Sequence, residues 1–212
     1  SKSIVVTSNS GFLPNDQRNL AFQAASLLQR TFKVKHGAHI KIQKNIPVAA
    51  GLGGGSSDAA AVLRALNQLW EIDLPIDELA KLGLKVDSDV PYCVYSKTAH
   101  VTGLGEQVEV LQPALKPVWI VLAKPNVSVS TPSILRQLNY DILAHPNIGD
   151  ILAAINAGDH QQLVTSMGNA LEPISVHRYP EIQQIKERMK GYGAQTAVMS
   201  GTGPTVFSVF NK

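Results

Sequence analysis

The sequence predicts an α+β fold in two domains, and three observations lead to that prediction. Helix-like and strand-like segments are interleaved in both halves of the chain, without a regular strand–helix–strand period. The segment QPALKP, residues 112–117, carries two prolines and separates stretches of different character. The length of 212 residues suits either one large domain or two small ones. We therefore predict a first domain over residues 1–115 and a second over 116–212.

In the first domain, apolar residues at helical spacing predict helices at 19–32, 57–70 and 76–82. Asn15 or Asp16 could cap the first of these helices, and Gly83 ends the third. Alternating or β-prone runs predict strands at 4–6 (IVV), 39–44 (HIKIQK), 90–95 (VPYCVY) and 107–111 (QVEVL).

In the second domain, the continuously apolar run VWIVLA, 118–123, predicts a strand covered on both faces. STPSILRQL predicts a helix with Ser130 or Thr131 as its cap and Pro132 near its first position. Further helices are predicted at 148–157, 159–167 and 180–190. The strands AQTAVMS and TVFSVF flank a second glycine turn, SGTGP, at 200–204.

Composition limits the classes of partner. The formal net charge is +3, from 19 basic and 16 acidic residues, and the basic residues form no run of five. The one cysteine, Cys93, favours a reducing compartment, and no apolar run approaches the ~20 residues of a membrane span. The six histidines show no spacing typical of a transition-metal site. We expect a cytoplasmic protein that binds neither nucleic acid, nor a membrane, nor a transition metal.

The most informative stretch is PVAAGLGGGSSDAA, Pro47 to Ala60, with four glycines in five positions directly before a predicted helix. Glycine lets backbone N–H groups approach a ligand closely, and a helix N-terminus leaves unpaired N–H groups with a partial positive charge. Together they predict an anion site, with phosphate the usual guest. Ser56 and Ser57 add hydroxyl groups, and Asp58 could cap the helix. The alternative is a tight strand-to-helix turn without a ligand.

This segment resembles the phosphate loop of the GHMP small-molecule kinases. Three further stretches agree: DSDVPYCVY (87–95), NVSVSTPSI (126–134) and VMSGTGPTVF (198–207). The resemblance covers nearly the whole chain and implies a two-domain α+β fold, with a ribosomal-protein-like first domain and a ferredoxin-like second domain. The GGGSS form most resembles the branch that phosphorylates a cytidine diphosphate-linked sugar alcohol in non-mevalonate isoprenoid biosynthesis.

The resemblance also implies roles for individual residues. Asp89 corresponds to the catalytic aspartate, which also touches the substrate; it would accept a proton while the γ-phosphoryl of ATP moves to the C2 hydroxyl of the methylerythritol unit. Thr131 corresponds to a substrate-binding threonine. Mg²⁺ would bridge the phosphates of ATP near Ser57. Residues implied to bind ATP are Asn19, Lys44, Pro47, Ala50, Gly51, Leu52, Gly53, Gly54, Gly55, Ser56 and Ser57, and those implied to support the loop are Gly201, Thr202 and Gly203.

Each of these residues also has a plainer interpretation. Asp87 and Asp89 could be solvated turn residues, Lys44 an exposed strand end, and Asn19 part of the first turn of its helix. Gly201, Thr202 and Gly203 could belong to an ordinary hairpin, and Thr131 could cap a helix. Two other hypotheses remain for the whole chain: a GHMP kinase for homoserine, mevalonate or galactose, and a protein that binds nucleotide without turnover.

The family pattern starts with a segment of the type K-A-x-A-K-I-N-L, followed by a D-G-Y-H-like stretch, and neither occurs in this sequence. They supply a lysine beside the catalytic aspartate and the residues that sandwich the cytosine. We therefore expect strongly reduced turnover from this chain. A sheet lacking that strand would expose an edge, so we also expect copies of the chain to form homodimers.

Overall fold

The computed structural model describes residues 2–113, 117–139, 141 and 143–210. The chain divides into two compact units, Ser1–Val48 with Gly53–Leu111, and Ala49–Leu52 with Gln112–Lys212. The predicted boundary between residues 115 and 116 lies outside the described residues.

The first unit mixes helices with two small sheets. In chain order, its elements are β1 (Ile4–Ser8), α1 (Leu20–Thr31), β2 (Ala38–Ile42), α2 (Gly54–Leu69), α3 (Ile76–Gly83), α4 (Val90–Tyr95), β3 (Ala99–Thr102) and β4 (Gln107–Val110). Strands β1 and β2 pair in parallel, with Val6 opposite Ile40, and β3 pairs with β4 in an antiparallel hairpin.

Helices α1 and α2 contribute most of the buried residues in the core of the first unit. Four residues of α1 are fully buried there, and three of them are alanines, which let the two helices approach closely. The facing stripe of α2 recurs at three- and four-residue spacing, as the sequence predicts. The buried residues of the two helices in this core are Ala21, Ala24, Ala25, Leu28, Ala59, Ala60, Val62, Leu63 and Leu66.

The second unit is built on a three-stranded antiparallel sheet. Its elements are β5 (Trp119–Ala123), α5 (Thr131–Leu135), α6 (Ile148–Ala157), α7 (His160–Ser166), α8 (Glu172–Arg178), α9 (Glu181–Gly191), β6 (Thr196–Met199) and β7 (Val206–Phe210). The strand order is β5–β7–β6. Helix α9 packs on β6 and β7 and buries a core made of Ile182, Met189, Ala197, Met199 and Val206.

Segment 90–95 is a helix, not the predicted strand. Pro91 lies in the first turn of α4, where its fixed φ suits a helix and its missing N–H costs nothing. At the other end, the Arg64 guanidinium donates to the carbonyl oxygens of Cys93 and Val94, at 2.7 and 3.2 Å. Because Arg64 is distant in sequence, the local run of apolar residues gave no sign of this C-terminal support.

Three other local predictions need correction. Helix α1 is capped by Asn19, whose side chain accepts the N–H of Ala21, rather than by Asn15 or Asp16. Strand β5 forms as predicted but is not covered, since Trp119, Ile120, Val121 and Leu122 are each about half exposed or more. Helix α8 was not predicted, because its sequence carries no clear apolar stripe.

Strand β3 was not predicted either, and the remaining strands and helices match the predicted segments to within a few residues. Among the described residues, no helix is both long and apolar enough to cross a bilayer.

Candidate active site

The first turn of α2 presents uncapped N–H groups, as the glycine-rich sequence predicts. Its N-cap is Gly53, which adopts a left-handed conformation (φ 61°, ψ 19°) and supplies no side-chain acceptor. Asp58 does not cap the helix either, because its carboxylate turns to Lys44. The N-terminus of this 16-residue helix therefore offers its partial positive charge and its first-turn donors to an external anion.

Lys44 brings a full positive charge to the same turn. Its ammonium lies 2.6 Å from Asp58 Oδ2, and only 5% of the Lys44 side chain is exposed. A Cβ placed on Gly54 would lie 2.9 Å from Lys44 Nζ, so the missing side chain of Gly54 makes room for this cation. Lys44 is thus held against the start of α2 and is not an exposed strand end.

Asp89 belongs to residues 84–89, which connect α3 to α4 and are called the aspartate loop here. Asp87 Oδ1 accepts two hydrogen bonds of 3.1 Å, from the Asp89 backbone N–H and from Ser56 Oγ. Partial burial of the Asp89 carboxyl and, secondly, the nearby charge of Asp87 raise the pKa of Asp89 above its usual value of 3.8. A carboxylate that holds a proton more tightly is a better proton acceptor.

The β3–β4 turn lies directly against the aspartate loop. A Cβ on Gly105 would overlap the carbonyl oxygen of Ser88, and Gly105 has a φ of +108°. The turn therefore approaches the backbone next to Asp89 as closely as glycine allows.

Three other predicted residues of the first unit have partners within the protein. The hydroxyl of Ser57 donates to the Gly54 carbonyl, at 3.0 Å. Ser56 is buried and donates its hydroxyl proton to Asp87. Asn19 is also buried, and its amide both caps α1 and donates to the Pro14 carbonyl. The contacts of Asn19 are those of a structural cap.

In the second unit, residues 49–52 lie against the turn 200–203, which we call the SGTG turn. Ser200 Oγ donates to the Gly51 carbonyl at 2.7 Å, and the Thr205 N–H points to the Ala50 carbonyl at 3.4 Å. A Cβ on Gly51 would overlap the Ser200 carbonyl, and one on Gly201 would be 3.3 Å from the Gly51 carbonyl oxygen. The SGTG turn thus packs against the first half of the glycine-rich segment.

Thr131 and Thr202 share a hydrogen bond of 2.9 Å between their hydroxyl groups. Ser130, not Thr131, is the N-cap of α5, so capping does not explain Thr131. The far side of the SGTG turn is anchored by Ser175, whose buried hydroxyl donates to the Thr202 carbonyl, and by Asn169, whose amide donates to the Met199 and Gly201 carbonyls.

Sequence reasoning did not single out Asn169, Glu172 or Ser175. Glu172 accepts the Met199 N–H and pairs with Lys186, so it fixes the strand that leads into the SGTG turn. These residues come from α8 and the segment before it, where the sequence offered no motif. The only sign of their role in the sequence was that they are polar residues in or beside an apolar stretch that we had not assigned to a helix or a strand.

The two halves of the chain each match a known family model. The family model described as "GHMP kinases N terminal domain" matches residues 19–97, and "GHMP kinases C terminal" matches 151–212. A Levilactobacillus brevis protein named 4-diphosphocytidyl-2-C-methyl-D-erythritol kinase is 64% identical over 211 residues, which is 100% of this chain and 74% of the relative. A protein of the same name from Lactiplantibacillus plantarum is 63% identical, over 99% of this chain and 73% of its own.

The chain belongs to the GHMP kinase family. A crystal structure of 4-(cytidine 5'-diphospho)-2C-methyl-D-erythritol kinase superposes with a TM-score of 0.79 at 32% identity, covering 98% of this chain and 73% of that one. A homoserine kinase from Cytophaga hutchinsonii has a TM-score of 0.82 at 23% identity, over 99% and 73%, which shows the shared fold. The predicted two-domain α+β class is therefore confirmed.

A GHMP kinase takes ATP as its phosphoryl donor, and the residues of the first unit fit the ATP phosphates. The uncapped turn at Gly53 favours an anion, the ammonium of Lys44 lies beside it in a pair with Asp58, and no side chain projects from 53–55. Within the described residues, no three His, Cys, Asp or Glu side chains gather where they could hold a metal ion.

Proposed function

We propose that this chain transfers the γ-phosphoryl group of ATP to the C2 hydroxyl of 4-diphosphocytidyl-2-C-methyl-D-erythritol, a step of non-mevalonate isoprenoid biosynthesis. The observation that carries the proposal is the juxtaposition of an uncapped α2 N-terminus with the aspartate loop, joined through Ser56 and Asp87. The substrate is that in the names of relatives up to 64% identical to this chain.

The chain's own residues supply positioning and charge. Gly53, Gly54 and Gly55 let the phosphates approach the first-turn N–H groups of α2, and Lys44 adds a fixed positive charge. The segment that leads into that turn contains Pro47, Ala50, Gly51 and Leu52. This segment is supported by the SGTG turn, through Gly201, Thr202 and Gly203. Phosphoryl transfer needs little more than such positioning and electrostatic stabilisation.

Asp89 is the proton acceptor in this mechanism. As the C2 oxygen bonds to the γ-phosphorus, the bond to the β–γ bridging oxygen breaks and the hydroxyl proton passes to the Asp89 carboxylate. The raised pKa of Asp89 favours that transfer, provided that the carboxyl is ionised when the substrate arrives. Thr131 in the second unit would bind the sugar alcohol, and Asn19 would lie near the adenosine.

We also propose Mg²⁺ as the companion of ATP, held by the phosphates near Ser57. The absence of a three-residue cluster of metal ligands in the described part of the chain supports coordination through the nucleotide. A cytoplasmic location is supported by the single cysteine, Cys93. The domain limits of 1–115 and 116–212 remain our proposal for the boundary.

Homodimerisation is a further proposal, supported by β5. Among the described strands, β5 pairs with β7 alone, so its other edge presents unpaired N–H and C=O groups. Four consecutive apolar residues of that edge are exposed, and β5 contains no charged residue. Such an edge can pair with the same strand of a second copy.

The decisive experiment incubates the chain with Mg²⁺, ATP and the cytidine diphosphate-linked substrate, and follows ADP release together with the ³¹P spectrum. We expect one new phosphomonoester resonance per ADP, and one that grows at least about 10²-fold more slowly with Asp89→Asn. Homoserine, mevalonate and galactose serve as competing substrates in parallel reactions.

Nucleotide binding is measured separately by calorimetry, because it distinguishes the alternatives. Binding of ATP–Mg²⁺ without transfer to any substrate would favour a nucleotide-binding protein without turnover. Transfer to homoserine or another alcohol in preference would reassign the substrate within the GHMP kinases. Failure to bind ATP at all would overturn the proposal.

A further inference from the structure

Asp87 makes a contact that links two parts of the proposed site. One of its carboxylate oxygens, Oδ1, accepts the Ser56 hydroxyl and the Asp89 backbone N–H, each at 3.1 Å. Ser56 lies in the first turn of α2, and Asp89 is the residue before α4. A single oxygen atom therefore joins the start of the phosphate-binding helix to the backbone of the proposed proton acceptor.

The surroundings make this link stiff. Ser56 is only 5% exposed, so water competes poorly for its hydroxyl, and a hydrogen bond to a charged acceptor is among the stronger kinds. On the other side, Val90 and Pro91 are buried, which anchors the start of α4 directly after Asp89. The backbone of Asp89 is therefore held on both sides, by Asp87 before it and by the buried start of α4 after it.

We propose that Asp87 is a positioning residue, which fastens the aspartate loop to α2 so that Asp89 is held beside the phosphate-binding turn. This inference rests on the proposed function for its kinetic consequence, whereas the link itself can be tested without substrate. In this arrangement the Ser56 hydroxyl does not donate to a phosphate, because its one proton is donated to Asp87. The backbone N–H of Ser56 remains on the helix end for phosphate.

Asp87 has a second effect, which is electrostatic. Its negative charge raises the pKa of Asp89, in addition to the larger effect of burial. The other ionisable groups that interact here are Cys93, whose thiol pKa is raised by burial and secondly by Asp89, and Arg64, whose charge acts in the opposite direction on Cys93. Asp87 therefore combines a geometric role and a charge role, and substitutions can separate the two.

Three variants make that separation. Asp87→Asn keeps an oxygen that can accept both hydrogen bonds but removes the charge. Ser56→Ala keeps the charge but removes one arm of the link. Asp87→Ala removes both the charge and the acceptor. Glu78→Gln serves as the matched control, since Glu78 is an exposed carboxylate on α3 that pairs only with Lys81.

The first readout uses NMR on the chain without substrate. Hydrogen exchange at the Asp89 N–H should accelerate at least about tenfold in Asp87→Ala, and stay close to the wild-type rate in Asp87→Asn. The carboxyl carbon of Asp89 should titrate at a lower pH in Asp87→Asn and Asp87→Ala than in wild type. In Ser56→Ala, the Asp89 pKa should remain raised while protection of the amide falls.

The second readout is steady-state kinetics over pH. Asp87→Ala should lower kcat at least about tenfold with a much smaller change in the KM for ATP, because the loss concerns the placement of Asp89. Asp87→Asn should restore most of kcat, with the acid limb of the profile moved to lower pH. A purely structural role would leave the position of that limb unchanged.

Unchanged Asp89 amide exchange in Asp87→Ala, or an unchanged Asp89 titration in Asp87→Asn, would overturn the inference. A change of the same size in Glu78→Gln would do so too, since the effect would then not be specific to Asp87. If wild type transfers no phosphoryl group, the proposed function fails, but the NMR results still decide on the role of Asp87.

Discussion

Two carboxylates of the first unit, Asp58 and Asp89, experience opposite electrostatic environments. Asp58 lies against the buried ammonium of Lys44, whereas Asp89 lies near a second carboxylate, Asp87. The first arrangement places opposite charges side by side, whereas partial burial and, secondly, the charge of Asp87 raise the pKa of Asp89. The stability of the fold and the chemistry of the site therefore respond differently to substitution at the two positions.

Asp89→Asn should abolish most of the activity and increase stability. We expect kcat to fall by about 10²- to 10⁴-fold, the usual contribution of a general base. Because the pKa of Asp89 is raised in the folded chain, wild type loses stability relative to the variant as pH rises from below 3.8 through that raised pKa. Thermal unfolding of both proteins from pH 3 to 7 checks the sign; a less stable variant at pH 7 would contradict it.

Asp58→Asn should destabilise the fold by about 2 kcal/mol, since it leaves the ammonium of Lys44 buried without a carboxylate. Lys44→Met with Asp58→Asn should recover part of this loss, and a double-mutant cycle from urea unfolding measures the coupling. The control is Glu78→Gln, which breaks an exposed pair with Lys81 and should cost less than about 0.5 kcal/mol. Equal costs for the two pairs would contradict the burial argument.

At the residue scale, the sequence predicts which residues belong to the site better than it predicts which residues they contact. The glycine-rich segment and Asp89 could be recognised because their spacing along the chain is itself the signal. The hydrogen bond between Ser56 and Asp87 joins residues 31 positions apart, and no local pattern reports it. Asp58 was expected to cap α2, since the sequence did not show that Lys44 would be buried beside it.

At the scale of elements, α2 shows how a helix start can be both regular and functional. Gly54 and Gly55 are the first two residues of α2, and glycine favours a helix less than alanine does. Gly54 leaves room for Lys44 and Ile46, and Gly55 for Leu20. Local helix propensity is therefore subordinate to the packing of the loop.

Gly54→Ala should weaken ATP binding by about tenfold or more. The added Cβ would lie 2.9 Å from both Lys44 Nζ and Ile46 Cγ2, so the ammonium must move away from the turn. Calorimetric titration with ATP–Mg²⁺ measures the change. The matched control is Gly191→Ala at the end of α9, where an added Cβ meets nothing within 4 Å and affinity should be unchanged. Wild-type affinity in Gly54→Ala would contradict the prediction.

Segment 90–95 was wrongly predicted as a strand, whereas β5 was correctly predicted as a strand but wrongly expected to be covered on both faces. An apolar run of five or six residues is compatible with a strand or a short helix, and its length alone does not decide between them. Both outcomes depend on tertiary structure: Arg64 bonds the end of α4, and no other element covers the exposed residues of β5 among those described. By contrast, α2 and α3 could be predicted because their apolar stripes extend over two or more turns.

At the scale of the whole molecule, each unit has its own core, and the exposed apolar surface of the second unit is concentrated on β5. Trp119, Ile120, Val121 and Leu122 lie on an edge strand, where pairing with another chain satisfies the backbone and covers apolar area together. The sequence led to the same expectation from a different feature, an exposed sheet edge in the first domain.

Ile120→Lys should weaken self-association at least tenfold, or about 1.4 kcal/mol, because a charge on the edge opposes pairing. Sedimentation equilibrium over a range of concentrations measures the dimer constant. Leu69→Lys is the control, since Leu69 is an exposed apolar residue of the helix α2 and not of the edge strand, and should leave the constant unchanged. Monomeric wild type at every concentration would refute the proposed homodimer.

The contact between the β3–β4 turn and Ser88 makes this turn a suitable place for an optical probe. Leu104 is 80% exposed and precedes Gly105, whose backbone touches the aspartate loop. An environment-sensitive dye attached to Leu104→Cys, in a chain that also carries Cys93→Ser, would sense displacement of Ser88 through that contact. Its emission would report rearrangement of the aspartate loop in real time, without a coupled enzyme or a radioactive nucleotide.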